Sequence, residues 1–221
     1  MPRDSSQSID PTELLQAYAL GYFPMAQARD AQHVMWVLPE ERGVLQLDAA
    51  RAPRRLLKTL KRAPFDVRVD TVFADVMQAC AEAAPDRRET WINDQILEVY
   101  TELHFRGAAH SVECFKDGAL VGGLYGVALG GVFCGESMFS RATDASKIAM
   151  LHLIARLKQG GFQLLDTQFY TKHLAQFGVA EIPDAEYQKL LARALNAPAN
   201  FYSSSVDSSI AAVAQSITQI S

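Results

Sequence analysis

The sequence contains few cysteines and no motif that would bind a metal ion. Its three cysteines, Cys80, Cys114 and Cys134, lie far apart with no CxxC spacing. That pattern argues against a disulfide framework and against a structural zinc site. The five histidines form no HExxH or HxxxH pair. We therefore expect no metal, unless the fold brings distant ligands together.

Long hydrophobic runs are also missing. No stretch of the 221 residues approaches the roughly 18 uncharged apolar residues that a transmembrane helix needs. The first residues, MPRDSSQSIDPTE, lack an apolar core of signal-peptide length. With 49% hydrophobic and 21% charged residues, the composition is that of a folded soluble protein and excludes disorder of the whole chain. We therefore expect a cytoplasmic protein that does not bind a membrane.

Positive charge is scarce overall but concentrated in one segment. The net charge of −4 and the pI near 5.7 are a poor global match for a nucleic-acid-binding protein. Between positions 51 and 62, however, there is no acidic residue and there are six cations: Arg51, Arg54, Arg55, Lys58, Lys61 and Arg62. Such a segment can neutralise several phosphates at once. The alternative interpretation is an ordinary solvated helix face.

Local patterns predict both helices and strands. A first helix starts after Asp10 and stops at Gly21, and further helices are predicted over 48–62, 71–83, 93–105, 145–159 and 185–195. We expect the Asp10 side chain to cap the first helix, and Asp70, Asp144 and Asp184 to cap three of the others. Alternating patterns predict strands over 67–69, 110–115, 119–129, 132–136 and 162–168, with Asp117-Gly118 as a tight turn. Residues from 199 onward, which carry one charge, predict a poorly ordered or loosely docked tail.

Several uncommon strings then occur in a single order. They are GYFPM (21–25), TWI (90–92), HSVECFKDGALVGGLYGV (110–127), FCGESMFS (133–140), ASK (145–147), LLDTQ (164–168), HL (173–174) and EIP (181–183). In these strings and their spacing the chain resembles leucyl/phenylalanyl-tRNA–protein transferases over about residues 11–195.

The resemblance implies an α+β fold in two parts. A small N-terminal domain (1–42) precedes an N-acetyltransferase-like domain (43–198) with a central, mainly antiparallel sheet flanked by helices, and a polar tail (199–221) follows. It also implies the transfer of Leu or Phe, and of Met as a third candidate, from aminoacyl-tRNA to proteins with N-terminal Arg or Lys. That transfer marks the acceptors for degradation by the N-end rule pathway.

Three polar residues are the catalytic candidates. Asp166 and Gln168 are two apart on a predicted strand, so both point to one face, about 6.5–7 Å apart. The resemblance implies that Gln168 contacts the attacking α-amine, which we expect it to orient rather than deprotonate, and that Asp166 polarises this amine. It places Glu136 in the same site, facing the ammonium or the acceptor's Arg or Lys side chain. The alternatives are a turn-bonding Asp166 and a structural salt bridge of Glu136.

The resemblance also implies the contacts with aminoacyl-tRNA. The aminoacyl side-chain pocket corresponds to Leu124, Phe133, Met150 and Leu153, and the 3′-terminal adenosine contacts correspond to Trp91 and Met25. Core packing is the alternative for the pocket residues and for Trp91. The basic segment aligns with the family's tRNA-backbone surface.

Two positions depart from the family pattern. Met25 stands where other members can have Trp, and its thioether would bind an adenine face less strongly than an indole. Asp184 replaces the basic residue that usually follows EIP, which argues against an RNA contact at that position.

No cofactor is expected, because an aminoacyl ester is already activated. The sequence has no GxxxxGK[ST] motif and no GxGxxG after a strand. An acetyl-CoA-dependent N-acetyltransferase, the competing enzyme, should have a glycine-rich turn for the coenzyme pyrophosphate. The corresponding junction here reads SRATDASK and contains no glycine. A non-catalytic tRNA-binding protein is the second alternative. We expect the transferase to be a monomer.

Overall fold

The computed structural model describes residues 9–82 and 90–218. Its helices are α1 (Pro11–Ala19), α2 (Arg54–Lys61), α3 (Phe73–Ala81), α4 (Asp94–Phe105), α5 (Ala145–Gln159), α6 (Lys172–Ala175), α7 (Asp184–Leu195) and α8 (Ile210–Thr218). Its strands are β1 (Phe23–Ala26), β2 (Val34–Val37), β3 (Glu41–Gln46), β4 (Asp66–Val69), β5 (Ala109–Lys116), β6 (Ala119–Leu129), β7 (Val132–Ser140), β8 (Leu164–Gln168) and β9 (Ala180–Pro183).

One large sheet organises the molecule. Seven strands follow the order β4-β5-β6-β7-β8-β3-β9, and all neighbours are antiparallel except β7 and β8. The hairpin of β1 and β2 forms a separate two-stranded sheet near the N-terminus. The expected α+β fold, with a mainly antiparallel central sheet flanked by helices, is thus confirmed, and its likeness to N-acetyltransferases stays a prediction. The proposed boundary between residues 42 and 43 falls inside β3 and stays a prediction.

Helices cover both faces of the sheet, and each face has its own apolar core. On one face, α1, α3, α4 and α7 contribute buried residues such as Tyr18 and Tyr100. On the other face, α2, α5 and α8 pack together around Phe133 and Leu165. The long helix α5 is buried on nearly every side, as expected for a helix that lies between the sheet and further helices.

The parallel pair β7–β8 separates soon after it forms. Only Val132–Cys134 of β7 pair with Leu164–Asp166 of β8. Beyond these three positions the strands no longer pair, although both continue. A gap therefore opens in the middle of the sheet, between Glu136 on one strand and Gln168 on the other.

Local capping signals were right for the first helix and wrong for the third. The Asp10 carboxylate accepts the backbone N–H groups of Thr12 (2.7 Å) and Glu13 (3.1 Å), as predicted. Helix α3 begins only at Phe73, and Asp70 does not cap it. The Asp70 carboxylate instead accepts the backbone N–H of Ser111 at 2.6 Å, across the sheet.

The caps predicted at Asp144 and Asp184 are also wrong. Asp144 precedes α5 but makes no capping bond, because its carboxylate is engaged by Lys147 Nζ at 2.6 Å. Asp184 is itself the first residue of α7, and its Oδ1 accepts Gln188 Nε2 at 3.0 Å. In each case a side-chain partner takes the carboxylate that the backbone N–H groups would have used.

Two further segments differ from expectation. The basic helix is shorter than 48–62, because Pro53 fixes its start and α2 spans only Arg54–Lys61. The expected loose tail is wrong for residues 199–218, since α8 packs against α5 and buries Val213 and Ile217, and residues 219–221 lie outside the described residues. Residue 83, the expected end of the helix over 71–83, lies outside the described residues.

Candidate active site

The gap between β7 and β8 contains a cavity of about 230 Å³. Three of the predicted pocket residues, Leu124, Met150 and Leu153, lie on its wall. Glu136 from β7 and Thr167 from β8 border it as well. The remaining lining residues are Tyr125, Gly135, Ser137, Met138, Leu165, Thr171, His173 and Leu174. The structure thus brings an apolar cavity and a carboxylate together.

Phe133, the fourth predicted pocket residue, does not line this cavity. Its side chain is fully buried, and its ring stacks on Phe201 at 5.8 Å between centroids. Phe201 lies in the segment before α8. A part of the chain that was expected to be loose therefore packs against Phe133. Phe133 is a core residue.

Two tyrosines from the N-terminal half of the chain hold Glu136. Tyr18 Oη donates to Glu136 Oε1 at 2.6 Å, and Tyr100 Oη donates to Oε2 at 3.1 Å. The two hydroxyl groups also contact each other. Burial raises the pKa of both tyrosines well above the usual value, so they remain hydrogen-bond donors. The carboxylate is therefore fixed from one side and presents its other side to the cavity.

Burial also changes the ionisation of Glu136. It raises the pKa of this carboxyl to about 7, against the opposing effect of the hydrogen bonds from Tyr18 and Tyr100. A carboxyl with such a pKa exchanges protons near neutral pH. An α-amine has a pKa of about 7.7–8.0, so the two groups are closely matched for proton transfer.

Asp166 is fully buried in an ion pair with Arg42. Arg42 donates from Nε to Oδ1 at 2.9 Å and from Nη2 to Oδ2 at 2.6 Å, and both side chains have 0% exposure. Tyr187 Oη donates to Oδ2 at 2.8 Å, and the backbone N–H of Gln168 donates to Oδ1 at 2.9 Å. With both oxygens occupied, Asp166 has no free face toward a substrate.

The Arg42 guanidinium joins the N-terminal part of the chain to the sheet. Its Nη1 donates to the carbonyl oxygen of Gly21 at 2.8 Å. The planar group lies 4.9 Å from the ring centroid of Phe23 and 4.4 Å from that of Tyr187, a favourable arrangement for a cation over aromatic faces. Burial by itself lowers the pKa of Arg42, but the bonds to Asp166 outweigh this effect and raise it.

Gln168 ends β8 in a left-handed backbone conformation, with φ of 57°. Few residues other than glycine adopt this conformation without support. The bond from its N–H to Asp166 provides that support. Its side-chain Nε2 lies 3.5 Å from Glu136 Oε1, so the carboxamide and the carboxylate meet across the gap between β7 and β8.

The predicted adenosine contacts lie close together in the N-terminal region. The backbone N–H of Ala26, the residue after Met25, donates to the carbonyl oxygen of Trp91 at 3.2 Å. Both Met25 and Trp91 pack on the core that contains Tyr18, and both keep part of their surface exposed. Their side chains are thus available to a ligand and also contribute to packing.

The six predicted tRNA-contacting cations all lie on the surface of α2 and its flanking residues. Among them only Arg55 has a described ion pair, with Asp144 at 3.4 Å, and its side chain remains 79% exposed. The apolar side of α2 is formed by Leu56 and Leu60, which are buried. The segment therefore presents a strongly positive outer face.

Sequence reasoning missed four residues of this site. Arg42, Tyr18, Tyr100 and Tyr187 hold Asp166 and Glu136, yet each lies far from its partner along the chain. One signal was available: Tyr18 belongs to the apolar stripe of α1, and a buried tyrosine hydroxyl normally needs a hydrogen-bond partner.

Over residues 9–82 and 90–218, no helix is long and apolar enough to cross a bilayer, and no three His, Cys, Asp or Glu residues are grouped as a metal site requires.

Comparison with known proteins gives consistent matches along the chain. Residues 44–192 match the family model described as leucyl/phenylalanyl-tRNA protein transferase, and residues 7–40 match the model of the N-terminal domain of that family. A leucyl/phenylalanyl-tRNA–protein transferase of Phenylobacterium zucineum is 58% identical over 193 residues, which cover 87% of each chain. The transferase of Paramagnetospirillum magneticum is 59% identical over 182 residues, 82% of this chain and 87% of its own. Among solved structures, L-PGS from Bacillus licheniformis aligns with 74% of this chain and 55% of its own, at 12% identity and a TM-score of 0.41.

Proposed function

Because the chain belongs to the leucyl/phenylalanyl-tRNA–protein transferase family and is an aminoacyltransferase, we propose that it transfers Leu or Phe, and also Met, to the α-amine of proteins with N-terminal Arg or Lys. In this proposal the protein acts as a cytoplasmic monomer. Its products are degraded by the N-end rule pathway.

The apolar cavity bordered by Glu136, whose carboxylate lies 3.5 Å from Gln168 Nε2, is the observation that carries the proposal. Its volume of about 230 Å³ is below the roughly 300–1,000 Å³ of sites that enclose a whole small molecule. It therefore suits a single apolar side chain attached to a larger substrate that stays outside. The aminoacyl group of a charged tRNA has this form.

The reaction forms an amide bond and breaks an ester bond. The neutral α-amine attacks the ester carbonyl, the bond from that carbon to the ribose oxygen breaks, and the ribose oxygen leaves with a proton. Glu136 first accepts the extra proton of the acceptor ammonium, a transfer favoured by its pKa of about 7. Gln168 then orients the neutral amine toward the carbonyl, and orientation of this kind can contribute on the order of 7–11 kcal/mol.

Asp166 supports this reaction indirectly, by holding Gln168 in place. Its contacts with Arg42 and Tyr187 fix the carboxylate, which in turn holds the backbone of Gln168. We therefore assign Asp166 a positioning role in place of the direct polarisation of the amine expected from the sequence. Of the residues described around the cavity, Glu136 is the only acidic one, and it attracts the cationic end of the acceptor.

The tRNA itself contacts two regions in this proposal. The positive outer face of α2 binds the phosphate backbone, and Trp91 and Met25 contact the terminal adenosine. Stacking of one base on an aromatic side chain contributes about 1–3 kcal/mol. Phosphate neutralisation adds a component that weakens as the salt concentration rises.

The decisive experiment uses radiolabelled leucyl-tRNA and a protein that begins with Arg. We expect the label to enter the acceptor, and ribonuclease treatment of the donor to abolish it. An acceptor that begins with Asp serves as the matched control. Incorporation from acetyl-CoA without incorporation from leucyl-tRNA would support the N-acetyltransferase alternative, and binding of tRNA without any transfer would support the non-catalytic one.

A further inference from the structure

Helix α8 lies directly behind the positive helix α2. The buried side chains Leu56 and Leu60 of α2 belong to the same apolar cluster as Val213 and Ile217 of α8. Both residues of α8 are only 1% exposed. Helix α5 completes this three-helix contact, so the apolar side of α2 is covered by two other helices.

Helix α2 is a poor helix on its own. It has eight residues and no side-chain cap at its start, whereas isolated helices shorter than about 12–15 residues are marginal in water. Arg54 and Lys58, and likewise Lys58 and Arg62, are like charges four positions apart, a spacing that destabilises a helix. Its conformation therefore depends on the apolar packing beneath it.

The segment that leads into α8 is tied to the end of α5. Arg156 Nη1 donates to the carbonyl oxygen of Phe201 at 2.9 Å. Gln159 Nε2 donates to Ser216 Oγ at 3.2 Å, and Gln159 Oε1 accepts the backbone N–H of Asp207 at 2.5 Å. These bonds fix the place of α8 independently of its contact with α2.

From this arrangement we infer that α8 is a positioning element for tRNA. Val213 and Ile217 hold α2 in place and thereby hold its cations in the arrangement that meets the phosphate backbone. Neither of these two residues lines the cavity. The inference rests on the proposed function, and it assigns a role in substrate binding to a segment beyond the part of the chain that matches the family models.

The inference separates two kinds of aminoacyl donor. Leucyl-tRNA contacts both the cavity and α2, whereas leucyl-adenosine carries the ester and the terminal nucleoside but no phosphate backbone. Loosening α8 should therefore impair the use of leucyl-tRNA and spare the use of leucyl-adenosine. A general loss of folding would impair both.

The test compares Val213→Asp with Ala211→Asp in the full chain. Both variants add one negative charge to α8, but Ala211 is exposed and Val213 is buried. For Val213→Asp we expect KM for leucyl-tRNA to rise by about tenfold or more as phosphate contacts are lost, with kcat/KM for leucyl-adenosine within about twofold of the parent chain. Ala211→Asp should match the parent chain with both donors.

A milder variant and a direct measurement of tRNA binding distinguish a change at α2 from a general loss of folding. Ile217→Ala removes apolar contact without adding charge, and it should weaken uncharged tRNA binding and flatten its dependence on salt. Equal loss with both donors, or unchanged tRNA binding in Val213→Asp and Ile217→Ala, would overturn the inference. Because binding of uncharged tRNA needs no transfer, a parent chain that binds tRNA but fails to transfer Leu would contradict the proposed function alone.

Discussion

Replacing Glu136 by Gln should make the protein more stable in alkaline solution, although it removes a group from the candidate active site. Burial raises the pKa of Glu136 to about 7 from an ordinary value of 4.5. The folded protein therefore holds this proton more tightly than the unfolded chain does. Between these two values, each rise in pH favours the unfolded chain, which releases the proton more readily.

The size of the effect follows from that difference in pKa. At about 1.36 kcal/mol for each tenfold change in the ionisation constant, the difference between 4.5 and 7 costs the folded state roughly 3 kcal/mol above pH 7. Because Glu136 keeps part of its surface exposed, solvent screens the charge and about 3 kcal/mol is an upper figure. Below pH 4.5 Glu136 is protonated in both states and the cost vanishes.

The assay is urea unfolding of the parent chain and of Glu136→Gln at pH 4.5 and pH 8. The substitution should raise the unfolding free energy more at pH 8 than at pH 4.5, by an amount approaching roughly 3 kcal/mol. Glu98→Gln, which removes an exposed carboxylate from α4, is the matched control and should show little change with pH. A gain for Glu136→Gln that is the same at both pH values would refute the argument that burial controls this carboxyl.

Three further results are expected. Arg42→Met leaves Asp166 buried without its cation and should lower the unfolding free energy by about 3–5 kcal/mol, whereas little loss in urea unfolding would show that Asp166 finds another partner. Gln168→Ala should slow transfer and leave the shape of the pH–rate profile unchanged if Gln168 only orients the amine, and a new ionisation that appears only in Gln168→Glu would contradict that role. Leu153→Ala enlarges the cavity and should reduce kcat/KM for leucyl-tRNA about tenfold more than for phenylalanyl-tRNA, and competition between the two donors measures this ratio.

Prediction from the sequence succeeded where neighbouring residues decide the structure. The alternating pattern and the Asp117-Gly118 turn predicted β5 and β6, because a hairpin depends on local periodicity and on a turn that tolerates positive φ. The cap at Asp10 succeeded for the same reason. The caps at Asp70 and Asp144 failed because other groups bind these carboxylates: the backbone N–H of Ser111 on β5 binds Asp70, and the Lys147 side chain of α5 binds Asp144.

The candidate site residues came from the sequence, whereas their contacts came from the structure. Ordered strings such as FCGESMFS and LLDTQ indicated Glu136, Asp166 and Gln168, but not what each one touches. The polar tail was misjudged because low charge and many small residues describe a disordered segment and a helix packed on apolar neighbours equally well. Only the presence of α2 and α5 on the same side of the sheet distinguishes the two.

The sequence by itself determined the family and most elements of the fold, since both depend on residues that are adjacent or regularly spaced along the chain. The tertiary structure decided the chemistry of the carboxylates. Arg42 and Asp166 are 124 residues apart, and Tyr18 and Glu136 are 118 apart. The ionisation of a group depends on which dipoles and charges surround it and on how much water is excluded. The tertiary structure determines those neighbours, because they come from distant parts of the chain.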